Sequence, residues 1–200
     1  MTRSRAILAA TSIAAAAVLL VAGCDDDPPA TPSAEPTASS SSAEASASPS
    51  PTSTAVVVAP ERPKEMDDDG PAGAEAAAVY FLELDDYIMK TNDTAEWEAM
   101  SQESCEYCTD RLDQAHLIAE RGDMFEGGEA QIRVLHTYEQ DEATGIWPID
   151  VEIKEARSRI ADANGSVVFE QDPQTTTARV EVARGNGQWT IVGVPDVPES

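Results

Sequence analysis

The sequence predicts an α+β fold over residues 71–197, three helices packed on a curved antiparallel sheet, and three observations carry that reading. Apolar residues recur every three or four positions from Pro71 to Arg121, the spacing of a helix face. After Gly127-Gly128 the period shortens to two, the spacing of a strand with one buried face. Asn164-Gly165 and Gly185-Asn186-Gly187 then interrupt the alternating runs as hairpin turns. Helices first and hairpin-linked strands after them indicate segregated layers, not an alternating parallel sheet. About 130 residues suffice for a core.

In the first helix Pro71 suits the first turn, and Ala74, Ala77, Phe81, Leu84 and Ile88 share one face. Thr91-Asn92-Asp93 ends it. Asp93 with Glu96 reads as a capping pair for a short second helix that buries Trp97 and Met100. Ser104 is placed to cap a third, with Cys105, Cys108, Leu112, Ala115 and Ala119 on one side and a stop at Arg121-Gly122. Strands are expected over 130–138, 147–161, 166–171, 175–184 and 188–194. Trp97, Trp147 and Trp189 read most simply as core or sheet residues.

Residues 1–23 precede this domain with Arg3 and Arg5, an apolar run from Ala6 to Leu20, and Val21-Ala22-Gly23 before Cys24. The arrangement resembles a bacterial lipoprotein signal with its lipobox. The resemblance implies cleavage after Gly23, a diacylglycerol on the Cys24 thiol, and a mature protein held at the cell membrane on its extracytoplasmic side. Thr11 and Ser12 interrupt an apolar run already short for a membrane-spanning helix, so the anchor is read as lipid. Two acyl chains anchor stably where one would be marginal. Losing both arginines takes the formal charge from −24 to −26.

Residues 24–70 read as the lipidated cysteine and a disordered linker. From Pro28 to Ala55 every residue is Ser, Thr, Pro or Ala except Glu35 and Glu44, a composition that cannot offset its ordering entropy by burial. Some 45 such residues reach roughly 35 to 40 Å. Val56-Val57-Val58 is the one apolar patch, a candidate extra strand. The run Asp67-Asp68-Asp69-Gly70 lacks the alternate-position ligand spacing of a calcium loop and reads as solvated.

Gly73-Ala74-Glu75-Ala76, Tyr80-Phe81, Thr91-Asn92-Asp93-Thr94 and Cys105-Glu106-Tyr107-Cys108 together resemble an uncharacterised family of actinobacterial lipoproteins, a domain of unknown function behind a lipobox and a Ser/Pro linker. Asn92 stands where glycine is expected in that family's turn. The helix-then-sheet order also resembles the nuclear transport factor 2-like (cystatin-like) cone. That fold hosts isomerases, dehydratases and structural modules alike, so the likeness implies a shape and no activity.

The acidic balance, 37 Asp and Glu against 13 Lys and Arg, excludes an interface that must neutralise phosphates, so no nucleic-acid partner is expected. Cys105 and Cys108 lie one helical turn apart, and outside the cytoplasm such a pair reads as a structural disulfide. A redox-active pair is the sharper alternative, opposed by Glu103, Glu106 and Asp110, whose charge raises a thiol pKa. Zinc would need two further ligands, and His116 and His136 lack the spacing, so no metal is expected. His116 with Glu120 reads as a solvated contact.

His136 alternates with Ile132, Val134 and Tyr138, which would aim it into the hollow of the cone, beside Tyr80, Tyr87 or Asp150. That set is the candidate cavity lining and the only seat for a general base. No glycine-rich phosphate loop or Gly-x-Ser-x-Gly elbow occurs; no catalytic residue and no cofactor is assigned. The expectation is a tethered, non-enzymatic module binding a small ligand or an extracytoplasmic protein. An isomerase- or dehydratase-like enzyme or carrier, and an envelope thiol-disulfide helper, are the alternatives. An open cavity would favour the enzyme or carrier; a filled hollow with an exposed apolar patch would favour partner binding.

Overall fold

The computed structural model describes residues 56–197, so Cys24, the signal and most of the linker lie outside the described residues. Three helices come first: α1 (Pro71–Thr91), α2 (Ala95–Met100) and α3 (Glu106–Arg121). Seven strands follow: β1 (Met124–Gly127), β2 (Ala130–Thr137), β3 (Ile146–Glu155), β4 (Ser158–Ala161), β5 (Val167–Gln171), β6 (Gln174–Gly185) and β7 (Gln188–Gly193).

The face expected of α1 is fully buried at Ala74, Ala77, Phe81, Leu84 and Ile88. The helix closes on Asn92 in the left-handed region at φ 55°, where its amide donates to the Ile88 carbonyl. This backbone position is one glycine adopts freely and asparagine tolerates better than other residues. The capping pair expected for α2 is not formed. Thr94 takes the N-cap position and donates to Glu98 at 2.6 Å, while Asp93 accepts from Tyr87 at 2.8 Å. For α3 the N-cap is Cys105, not Ser104, and its sulfur accepts from the Cys108 amide. Ile118 is buried where Ala119 was expected, because Ala119 lies one position round the helix, toward solvent.

The strands form two antiparallel sheets, β2-β3-β6-β7 and β1-β4-β5, where one curved sheet was expected. The division falls along one line. The expected strand 147–161 breaks at Ala156-Arg157, its neighbour breaks at Gly128-Glu129, and the next breaks at Asp172-Pro173. Proline lacks the amide that a continuous ladder would need. Helices α1, α2 and α3 cover the inner face of the larger sheet. Trp97 stacks on Phe81 with ring centroids 3.9 Å apart and donates to the Cys108 carbonyl, with Ile149, Val151, Val180, Val182 and Ile191 beneath.

The ordered domain starts before residue 71, which corrects the expected linker boundary. Lys64–Asp67 form a single 3-10 turn whose Met66 is 1% exposed. Trp189 Nε1 donates to the Met66 carbonyl at 2.9 Å, and Arg184 donates to the carbonyls of Met66 and Asp68 and pairs with Asp69 at 2.9 Å. A Cβ at Gly73 would overlap the Asp68 carbonyl and crowd the Trp189 ring, so only glycine lets this segment lie against α1. Val56 and Val58 are exposed and form no strand.

Candidate functional site

Along β3 the residues Trp147, Ile149, Val151, Ile153 and Glu155 share the inner face, since alternate side chains point the same way. The core is therefore apolar at one end and turns polar at Glu155. Its cross-strand partners there are Ala130 and Gln174, and Thr176 lies opposite Ile153. Between this end of the sheet and the helices lies a cavity of about 300 Å³. Leu82, Asp85 and Asp86 of α1 and Tyr107 and Arg111 of α3 supply its other wall. A smaller depression of about 180 Å³ shares Asp85, Asp86, Arg111 and Glu155 with it.

The polar side chains of the wall are held in place. Arg111 grips Asp85 through both Nε, at 2.6 Å, and Nη2, and its Nη1 donates to Gln114 at 2.7 Å. Lys90 donates to Asp86 Oδ2 at 2.7 Å and to Glu129 at 3.0 Å. Gln174 donates to Glu155 Oε2 at 2.6 Å. Asp86 Oδ1 is buried with no hydrogen-bond partner among the described residues. Gly128, at φ 82°, packs closely here, for a Cβ there would lie 2.8 Å from the Phe125 ring and 3.3 Å from Asp86 Oδ1. Burial pushes the Asp86 carboxyl above its usual range, and Glu129 and Asp85 push the same way against Lys90. Burial also pushes the Tyr107 phenol far up, so it stays neutral and keeps its hydroxyl proton.

The expected cavity set does not assemble here. A bulge between Val134 and His136 leaves Leu135 without a cross-strand partner and reverses the alternation. Val134 faces the core, but His136 is exposed on the outer face, with Thr137 turned in to donate to Glu75. The structure does bring His136 to Asp150, as cross-strand partners on that outer face. Arg179 donates to Asp150 Oδ1 at 2.7 Å and Oδ2 at 3.1 Å, Tyr138 donates to Oδ2 at 2.9 Å, and the His136 ring meets the Tyr138 ring edge-on at 4.3 Å. The Arg179 hydrogen bonds hold the Asp150 carboxyl below its usual range. Tyr80 is buried in the core at 5% exposure, and Tyr87 is spent on Asp93.

Cys105 and Cys108 are joined as a disulfide, with Cα atoms 5.2 Å apart. Each residue is 1% exposed, which leaves little sulfur for a partner thiol to attack. His116 and Glu120 are both exposed on α3. Among the described residues no three of His, Cys, Asp and Glu come together as metal ligands, and no helix is long and apolar enough to cross a membrane.

Fold and site thus define a small α+β domain with a polar, largely acidic hollow between its helices and the end of its larger sheet. The chain belongs to the family of unknown function DUF6318, whose model matches residues 47–195. No curated protein matches it. Among solved structures it is similar to the intermembrane space region of the chloroplast protein ARC6, at 14% identity over 64% of this chain and 98% of that one, TM-score 0.48. It is also similar to Aln2 from a Streptomyces species, at 13% identity over 60% and 87%, TM-score 0.37. An uncharacterised protein with a cystatin-like fold from Caulobacter vibrioides is similar at 8% identity over 64% and 90%, TM-score 0.38.

Asp85, Asp86, Arg111 and Glu155 escaped the sequence reading. Two signals pointed to them: an acidic pair embedded in the apolar face of α1, and a glutamate that continues the inward alternation of Ile149, Val151 and Ile153.

Proposed function

We propose that this protein is a lipid-anchored extracytoplasmic module whose domain binds a small ligand in the hollow without transforming it. Cys24 is the anchor, the Ser/Thr/Pro/Ala-rich segment is the spacer, and the Cys105–Cys108 bridge is a staple. The observation that carries the binding reading is the hollow itself. Its volume sits at the small end of ligand sites, and its polar groups are fixed by one another, as preorganised recognition requires. The non-catalytic reading is supported by the outward turn of His136, which takes the one assigned candidate base away from the hollow. Burial of both cysteines speaks against a thiol-exchange helper.

The anchor is tested by fractionation and intact mass of the protein expressed with its own leader. A lipid-sized increment on Cys24, and release of Cys24→Ser from the membrane fraction, are expected; an unmodified Cys24 would remove the tether from the proposal. Partner docking is a second reading with its own observation: Met124, Val167, Val168 and Phe169 stand 46 to 57% exposed on the smaller sheet, three of them on its edge strand β5. Self-association removed by Val168→Glu in sedimentation velocity would support it. A monomer at every concentration would leave the hollow as the working site.

A further inference from the structure

We propose that the hollow selects a compact organic cation, an amine of about diamine size, with Asp86 Oδ1 as the principal acceptor; this rests on the reading that the hollow is a ligand site. The charges of the walls set the sign. Asp85, Asp86, Glu155 and Asp196 line the cavity against the single guanidinium of Arg111. That guanidinium is not free for an anionic ligand, since Asp85 takes Nε and Nη2 and Gln114 takes Nη1. An incoming carboxylate or phosphate would meet a compensated arginine; Asp85 and Asp86 are paired with Arg111 and Lys90, while Glu155 and Asp196 have no ion-pair partner among the described residues.

The position of the acceptor is set by what is missing. A carboxylate oxygen shielded from water and without a donor is costly, and native structures rarely leave one so. Asp86 Oδ1 is such an atom, while Oδ2 of the same group is already held by Lys90. Gly128 sets no side chain against Oδ1, and Asp86 lies on the lining of the cavity. A ligand N–H is the complement this oxygen lacks, and a charged one makes the stronger hydrogen bond. Glu155 on the facing wall, oriented by Gln174, offers a second carboxylate for the far end of a short diamine. The neutral Tyr107, on the same lining, adds a ring and a hydroxyl without opposing the charge. A bare metal ion fits less well, because no three ligating side chains converge among the described residues.

The test titrates the isotope-labelled full chain with putrescine, with the neutral diol of the same chain length and with succinate, following backbone amides by NMR. Saturable millimolar or tighter shifts at Asp86, Arg111, Gly128 and Glu155 are expected with putrescine alone. They should weaken as salt is added, and Asp86→Asn should weaken binding at least about tenfold. Glu155→Gln is the second variant should Asp86→Asn disturb the fold, and it should weaken putrescine but leave the spectrum dispersed. Succinate or the diol binding as tightly as putrescine would overturn the choice of a cation while leaving the hollow a ligand site. No shift at the hollow with any of the three would overturn both. Undiminished putrescine binding by a folded Asp86→Asn would overturn the assignment of the acceptor.

Discussion

Leu135 has no partner across the β2–β3 ladder, and that one extra residue turns His136 and Tyr138 to the outside. There they help enclose Asp150, whose side chain is 9% exposed between Arg179 and the Tyr138 hydroxyl. A carboxyl whose pKa falls on folding stabilises the fold above its unfolded pKa, near 4, and loses that contribution as pH drops through the lower folded value. Asp150→Asn should therefore lower the melting temperature most at neutral pH. Its curve should converge with the parent's as pH approaches about 2, read by thermal unfolding across pH. Convergence at neutral pH instead would mean the cluster is not holding charge. Trp97 offers a cleaner deletion. Trp97→Phe keeps a ring on Phe81 but removes the indole hydrogen bond to the Cys108 carbonyl, which retains its helical partner, a loss of about 0.5 to 1.5 kcal/mol from that bond in denaturant unfolding.

The turn at Lys64–Asp67 belongs to the domain, because it closes the end of the core beside α1 and β7. A chain beginning at residue 59 should fold as the parent does, and one beginning at 71 should be markedly less stable. Met66→Ala alone should cost about 2 to 5 kcal/mol. The disulfide at the start of α3 closes a very short loop, so the chain-entropy account gives it about 2 kcal/mol. Reduction in denaturant followed by alkylation should lower stability by about that amount, with folding retained. Native-state reduction by a mild thiol should be slow, because both sulfurs are covered. Rapid reaction of folded protein with mild reductant would revive a redox role.

For the whole molecule, the large negative charge favours solubility and attracts small cations. That attraction adds a long-range term to the local charges of the hollow, so any cation affinity should fall with ionic strength in titration calorimetry. In the proposed reading the segment between Cys24 and the domain acts as a spacer that leaves the two independent. Cys24→Ser should change where the protein fractionates while leaving the melting temperature of the domain unaltered.

Features set by local rules were legible in the sequence. The three helices, four of the five expected strands, the glycine stops and the buried face of α1 follow from periodicity and turn residues, which act within a few positions. The cysteine pair was legible because its partners are one helical turn apart. What tertiary structure alone decided is less local. Strand β1 is four residues long and runs into Gly127-Gly128, too short to show a period against its flanks. The line that splits the sheet needs three breaks, at Gly128, Arg157 and Asp172, to fall at one level, which no single segment encodes. One unpaired residue at Leu135 is invisible to an alternating pattern, yet it inverts every side chain after it. The hollow draws its walls from residues 82 to 196, so its charge and its unpartnered Asp86 oxygen exist only once helix and sheet have met.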